Sequence, residues 1–451
     1  MFFHGRETMT NHTKHRTRSW RRPLSWTAQG RHDPSVETTH AAGTPDVDKT
    51  NPEGHGSGNG AVPRAAHREK ADVDIKARIG TASFAFRGYD VTNLGRTPEL
   101  LAHKVYGPVV RGYLDEASKI AADTLHRPFD LSARVEAREE STLKGFADDV
   151  AMIVAMELAQ LACLEQFFGV EVKSARQTFG YSIGELASMV AGGVFTMEEL
   201  LPVPLICADD CAELAEDAHL GILFSRGPVL TVKDVQALCT TVSAEGKGIV
   251  GLSSYLSPNT ALVMGQGDTL DRLEKAIPTF YPEKVMLRRK AHKLPPLHTP
   301  LVWLRNIPNR AAVALYQIPG GLKAPMPRVV SCVTGAASYE ALNARDLLIR
   351  WVDHPQLLWD AICETLSAGV ELVIHAGPAP NLIPATFERL SNNVAKQLGN
   401  RYFQMIGRGF GSQMQRHAWL ARILPSKAAL LLAPHVTHVV LEDWLLEHEV
   451  A

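Results

Sequence analysis

Apolar positions between residues 73 and 395 recur with two periods, and where the period switches the chain changes element. Residues 73–86 carry Ile79, Ala82, Phe84 and Phe86 and run into Gly88, Tyr89 and Asp90, the pattern of a strand entering a loop. Residues 100–124 and 148–168 predict helices. The second is apolar almost all round, through Val150, Met152, Ile153, Val154, Met156, Leu158, Leu161, Leu164 and Phe167, so it belongs inside a large domain. A short segment, 175–179, then reaches Gly180-Tyr181-Ser182-Ile183-Gly184, with a helix-like stretch over 185–190 behind it. Between residues 221 and 290 the pattern predicts a strand (222–225), a helix (232–244), two strands (249–255 and 261–265), a helix (269–277) and a strand (284–288). That order is βαββαβ, the ferredoxin-like plan. Beyond it come a strand at 329–333, helices over 344–352 and 357–368, and a strand at 371–375 that ends in Gly377-Pro378.

These elements predict an α/β protein: an α/β-hydrolase-like large domain with a parallel sheet, interrupted by a small ferredoxin-like domain. The expected boundaries are a tail over 1–72, the first part of the large domain over 73–220, the small domain over 221–290, the second part over 291–395, and a C-terminal extension over 396–451 with no assigned role. The tail is rich in His, Thr, Arg, Gly and Pro, with Gly-His-Gly-Ser-Gly-Asn-Gly at 54–60, and has too few aliphatic residues to offset the entropy of ordering it. Disorder is the expectation there.

Composition narrows the function classes. Net charge is -1, which gives no overall attraction to nucleic acid or an anionic membrane, and apolar residues at 45% suffice for a sizeable core. The six cysteines, Cys163, Cys207, Cys211, Cys239, Cys332 and Cys363, lack both CxxC pairs and the density of a disulfide scaffold, so a reducing cytoplasm and no metal are expected. No uninterrupted run of about 18 apolar residues occurs, and no membrane span is expected. The first 32 residues carry seven Lys/Arg against one acid, Glu7. With no apolar segment or cleavage pattern following, a flexible basic tail, or a start placed too early with Met9 as a later candidate, is preferred to a transit peptide.

The chemistry concentrates in Gly180-Tyr181-Ser182-Ile183-Gly184. A GxSxG run between strand and helix turns the chain sharply, lifts a serine hydroxyl clear of the sheet and leaves the next amide, that of Ile183, facing a developing oxyanion. Such a serine needs a base within reach, and eighteen histidines leave the choice open on spacing alone. A resemblance decides it. Gly180-Tyr181-Ser182-Ile183-Gly184-Glu185 resembles the Gly-His-Ser-Leu-Gly-Glu of malonyl-CoA:acyl-carrier-protein transacylases. Further landmarks follow in that family's order: Phe86-Arg87-Gly88-Tyr89, Ser257-Pro258-Asn259, Pro296-Leu297-His298-Thr299-Pro300, Val333-Thr334-Gly335 and Ala376-Gly377-Pro378. The resemblance spans about two thirds of the chain. It implies Ser182 as nucleophile, His298 as base, acyl-CoA and a holo acyl carrier protein as partners, no nucleic acid or membrane, and no cofactor beyond the phosphopantetheine that the carrier brings.

The chain departs from that family around its pocket. Tyr89 stands where the family has an oxyanion glutamine, so its hydroxyl either donates instead or packs over the pocket, and Tyr181 replaces the histidine beside the nucleophile. Gly88 and Ile183 complete that loop and turn. The arginine that grips a malonyl carboxylate in the family falls near Cys207, in a stretch broken by Pro202 and Pro204. Either another cation such as Arg226 takes over, or the donor is uncharged, or activity is reduced. The family glutamine whose carbonyl orients the histidine falls near Trp351. His375, at a strand end, reads as structural. Arg288, Arg289, Lys290 and Lys293 form a basic cluster before His298 that meets CoA phosphates or an acidic carrier, or is simply a solvated face. The favoured function is acyl transfer in fatty-acid or polyketide-type biosynthesis, malonyl being the family's default donor. The alternatives are a serine hydrolase or thioesterase on the same turn, and a catalytically weak relative acting as a binding protein.

Overall fold

The computed structural model describes residues 73–282, 284–406 and 427–448, the side chains of 396–406 excepted. The expected disordered tail, 1–72, lies outside the described residues. Five strands form a parallel sheet in the order β7-β2-β1-β8-β9, with β1 at Ala82–Phe86, β2 at Gln177–Gly180, β7 at Val329–Val330, β8 at Leu372–Ala376 and β9 at Thr437–Val440. Every residue of β1, β2 and β8 is buried, the continuous apolar pattern of a sheet covered on both faces. The helix Phe146–Phe168 packs across it. Within the longer stretch Leu143–Phe168, 78% of an 18-residue window apolar enough to cross a membrane is buried inside the protein, so it serves as core.

The small domain is a second sheet in the order β4-β5-β3-β6, antiparallel throughout: β3 at Ala218–Ser225, β4 at Val250–Ser257, β5 at Thr260–Gln266 and β6 at Val285–Lys290. The helices Val232–Ser243 and Thr269–Phe280 connect β3 to β4 and β5 to β6. Chain order and pairing reproduce the ferredoxin-like plan expected from the sequence. Strand β3 starts at Ala218, earlier than the expected 222, and its first residues matter below because Leu220 faces the pocket.

Two expectations change. The single helix expected over 100–124 is two, Thr97–Ala102 and Gly107–Leu125, because Pro108 can only stand in a first turn and His103 Nδ1 accepts the amides of Val105 and Tyr106 at the break. The expected C-terminal extension is partly built into the large domain. Residues 396–406 continue the helix Leu382–Ile406, β9 pairs with β8 in register Val373↔His438, and the helix Leu441–Glu447 closes over it. The buried Glu442 carboxylate accepts the amides of Arg96 and Ala379, tying this last segment to the loops around β1 and β8.

Candidate functional site

Ser182 sits at the turn between β2 and the helix Ile183–Ala191 with φ 55° and ψ −122°, a left-handed conformation that costs a non-glycine residue roughly 1–3 kcal/mol and persists only where neighbours impose it. Two glycines make the turn possible. A Cβ on Gly180 would lie 2.0 Å from the carbonyl carbon and oxygen of Gly184, and one on Gly184 would lie 2.4 Å from the Arg87 carbonyl oxygen and 2.5 Å from that of Phe86. The neighbours are specific. The Ser182 amide donates to Gln356 Oε1 at 3.1 Å, while its carbonyl accepts from the Trp351 indole at 2.8 Å and from the Glu185 amide at 2.9 Å. Glu185 is itself buried, its carboxylate accepting from the Cys332 amide and the Tyr339 hydroxyl, and burial pushes it up to about 7.

The turn presents Ser182 Oγ to His298 Nε2 at 2.7 Å. His298 is only 4% exposed and also has a left-handed backbone, φ 65°. Its amide donates to the Val352 carbonyl, and its Nδ1 lies 2.6 Å from the Trp351 carbonyl oxygen. A carbonyl can only accept, so Nδ1 carries the proton and Nε2 presents its lone pair to the serine hydroxyl. Burial drives the imidazole down to about 4, against a smaller opposing effect of the Trp351 carbonyl and Asp353. The ring is therefore neutral at pH 7 and able to accept a proton. The Ile183 amide, first in its helix, has no acceptor among the described residues, and the partial positive charge of a helix start suits a developing oxyanion.

In front of this pair opens a pocket of about 620 Å³, mouth included. Its walls are Phe146, Val150, Ile183, Pro204, Leu294 and Leu297 from the large domain and Leu220, Ser253, Leu262 and Met264 from the small one, with Tyr89 and Tyr181 beside Ser182. Tyr89 packs edge-on against Phe146, ring centroids 4.8 Å apart, and its hydroxyl makes no hydrogen bond among the described residues. The Tyr181 hydroxyl is committed to Ser254 at 2.6 Å, and a Cβ on Gly88 would strike its ring at 2.6 Å. No lysine, arginine or carboxylate lines the pocket among the described residues.

Sequence reasoning placed Ser182, His298, Ile183, Tyr89, Tyr181 and Gly88 together, and they are together. Cys207 is displaced: with Val203, Cys211, Ile307 and Ala311 it lines a small separate cavity behind Trp351 and Leu297, and burial raises its thiol to about 11. Arg226 is also displaced, being exposed beyond the far end of β3 from Leu220. Six residues at about 3.3 Å each carry it roughly 20 Å from the wall it was expected to serve. In the basic cluster Arg289 is paired with Asp271 and Glu274, the Lys293 ammonium is folded onto the carbonyls of Glu216 and Ala218, and Arg288 lies over the Phe224 ring, which leaves Lys290 as an exposed cation with no partner among the described residues. Two contributors were missed. The Trp351 indole, in the last turn of the helix Ala344–Asp353, and Gln356, in the link to the helix Leu358–Ser367, are both buried, and an isolated glutamine after Pro355 carried no signal of its partner. His375 is structural as expected, stacked on His438 with its Nε2 at 3.0 Å from His438 Nδ1.

No family model matches the chain. The 6-methylsalicylic acid synthase of Arthrobotrys oligospora is 24% identical over 303 residues, 66% of this chain and 15% of the synthase, so the chain spans a small fraction of that relative's length. The malonyl-CoA:acyl carrier protein transacylase of Xanthomonas oryzae pv. oryzae superposes with a TM-score of 0.54 at 19% identity, covering 68% of this chain and 90% of the transacylase. The corresponding Acinetobacter baumannii structure gives 0.52 at 18%, covering 77% and 99%. A malonyl-transacylase in complex with a type II polyketide synthase acyl-carrier protein gives 0.52 at 20%, covering 68% and 91%. The expected fold, a parallel α/β domain carrying a separate antiparallel sheet, is the fold of these proteins.

Proposed function

We propose that the chain is an acyltransferase of the malonyl-CoA:acyl-carrier-protein transacylase kind, taking an acyl group from coenzyme A on Ser182 and passing it to the phosphopantetheine thiol of a carrier protein in fatty-acid or polyketide-type biosynthesis. The observation that carries this reading is the 2.7 Å contact of Ser182 Oγ with the Nε2 of a ring that burial keeps neutral and whose Nδ1 proton the Trp351 carbonyl accepts. The fold and the curated relative support the substrate class.

In the first half-reaction His298 Nε2 takes the hydroxyl proton as Oγ bonds to the thioester carbonyl carbon. The negative charge that moves onto the thioester carbonyl oxygen is met by the Ile183 amide and by the Tyr89 hydroxyl, which stands in for a side-chain amide. The tetrahedral adduct collapses with cleavage of the carbon–sulfur bond, and the coenzyme A sulfur leaves with the proton from Nε2. In the second half-reaction Nε2 takes the proton of the carrier thiol, sulfur attacks the ester carbon, and Ser182 Oγ leaves and recovers that proton. Apolar walls around the ester limit the water that competes with the thiol. No resident cofactor takes part; phosphopantetheine arrives on the partner.

Intact-protein mass spectrometry after brief mixing with an acyl-CoA tests this reading. An acyl adduct on wild-type protein, absent from Ser182→Ala and discharged onto added holo carrier protein, is expected. An adduct that decays only to free acid, carrier present or not, would replace transfer by thioester hydrolysis.

A further inference from the structure

Building on the acyltransferase reading, we infer that the acyl group taken by Ser182 is uncharged and apolar rather than a carboxylate-bearing malonyl or methylmalonyl unit. The pocket wall offers an entering acyl chain Phe146, Val150, Leu220, Leu262, Met264 and Leu297. Its polar side chains are all uncharged hydroxyls or the neutral His298: Ser182 and His298 hold each other, the Tyr181 hydroxyl holds Ser254, and Tyr89 and Ser253 add a hydroxyl each.

The cations nearest in the fold are all committed elsewhere. Arg87 is buried behind the Gly88–Tyr89 turn, with its guanidinium on the carbonyls of Gly88, Thr92 and Pro378 and on Asn93. Arg134 pairs through Nη2 with the buried Asp149, its Nη1 is buried without a partner among the described residues, and it does not line the pocket. Arg310 reaches the stretch around Cys207 from the helix Ile307–Gln317, but its guanidinium is held by Asp210 and the Ile206 carbonyl and does not line the pocket. Lys293 caps backbone carbonyls at the start of β3. A malonyl carboxylate placed in this pocket would lose its water and meet no compensating charge, whereas an alkyl chain of the same shape gains by leaving water.

Isovaleryl-CoA and malonyl-CoA differ at constant shape, an isopropyl group in one standing where the other has a carboxylate, and so isolate the charge. Two measurements separate pocket from chemistry. The first is the rate of Ser182 acylation by isovaleryl-, hexanoyl-, malonyl- and methylmalonyl-CoA, read by intact mass. The second is equilibrium binding of isovaleryl-CoA and malonyl-CoA to Ser182→Ala protein, where no reaction takes place. The inference expects isovaleryl-CoA to acylate at least about tenfold faster than malonyl-CoA, and to bind the Ser182→Ala protein at least about tenfold tighter. Equal or better binding and acylation by malonyl-CoA overturns the inference and leaves acyl transfer standing. Preferential isovaleryl binding with no adduct from any donor supports the pocket reading and overturns the catalytic one.

Discussion

The nucleophile side and the acyl side of the Ser182 pocket are constructed in opposite ways. Behind the serine the backbone is fixed by directed bonds: the Ser182 amide by Gln356, its carbonyl by Trp351 and Glu185, and the facing His298 by the carbonyls of residues 351 and 352. Across the cavity the wall is aliphatic and aromatic, and it holds nothing that would orient a charged substrate. The difference teaches where this molecule keeps its constraints. Under the proposed function, reaction geometry depends on a few directed hydrogen bonds that tolerate no substitution of donor for acceptor, whereas donor choice depends on shape and dryness, which many residue combinations supply.

The comparison breaks most completely at the dyad. Ser182→Ala removes the acyl adduct altogether, and His298→Ala slows its formation by about 10³-fold while leaving coenzyme A binding within twofold, both read by single-turnover mass spectrometry. Next come the groups that hold the strained serine. Trp351→Phe and Gln356→Met each remove one bond to the Ser182 backbone, and each is expected to slow acylation by about tenfold to a hundredfold with little change in the concentration of donor needed for half-maximal rate. A packing role alone would lower thermal stability and leave that rate constant intact, so the split between the two readouts distinguishes positioning from packing. On the acyl side Met264→Arg is expected to raise malonyl over isovaleryl acylation by about tenfold relative to wild type, because it adds the charge the wall lacks.

The smallest effect concerns pH. His298 must be neutral to accept the serine proton, and burial holds it near 4, so acylation stays level from pH 8 to about 5 and falls only below that. A fall centred near 6.5 would mean that the ring is solvated. The assay needs a brief pH jump. His375 and His438 are buried with depressed basicity, His438 near 4, so the stability they contribute is complete above about 6.5 and is lost as pH drops through the acid range.

How far the sequence foretold this follows the same division. The turn, its glycines and the ferredoxin-like strand order were legible because each rests on local pattern: a GxSxG run between a strand and a helix, and alternating apolar residues; His298 was picked out of eighteen histidines only by the family resemblance. Trp351 was legible only as a carbonyl, since any residue supplies one, and its indole bond to Ser182 depends on a fold that brings together residues 169 positions apart. Gln356 has the same long-range origin, as does the packing of the Leu220 end of β3, and not the Arg226 end, against the pocket. The assignment of residues 437–447 to the large domain was hidden because a four-residue edge strand, Thr437-His438-Val439-Val440, has little periodicity to read.

The central claim is that Ser182, activated by His298, carries the acyl group between two thiols. Peptide mapping of wild-type protein quenched in acid after mixing with isovaleryl-CoA tests it most directly, with and without holo carrier protein. The account predicts the acyl mass on the peptide containing Ser182 and its appearance on the carrier's phosphopantetheine as the serine ester disappears. Acyl mass on a different residue, or transfer to the carrier that persists in Ser182→Ala, would contradict it.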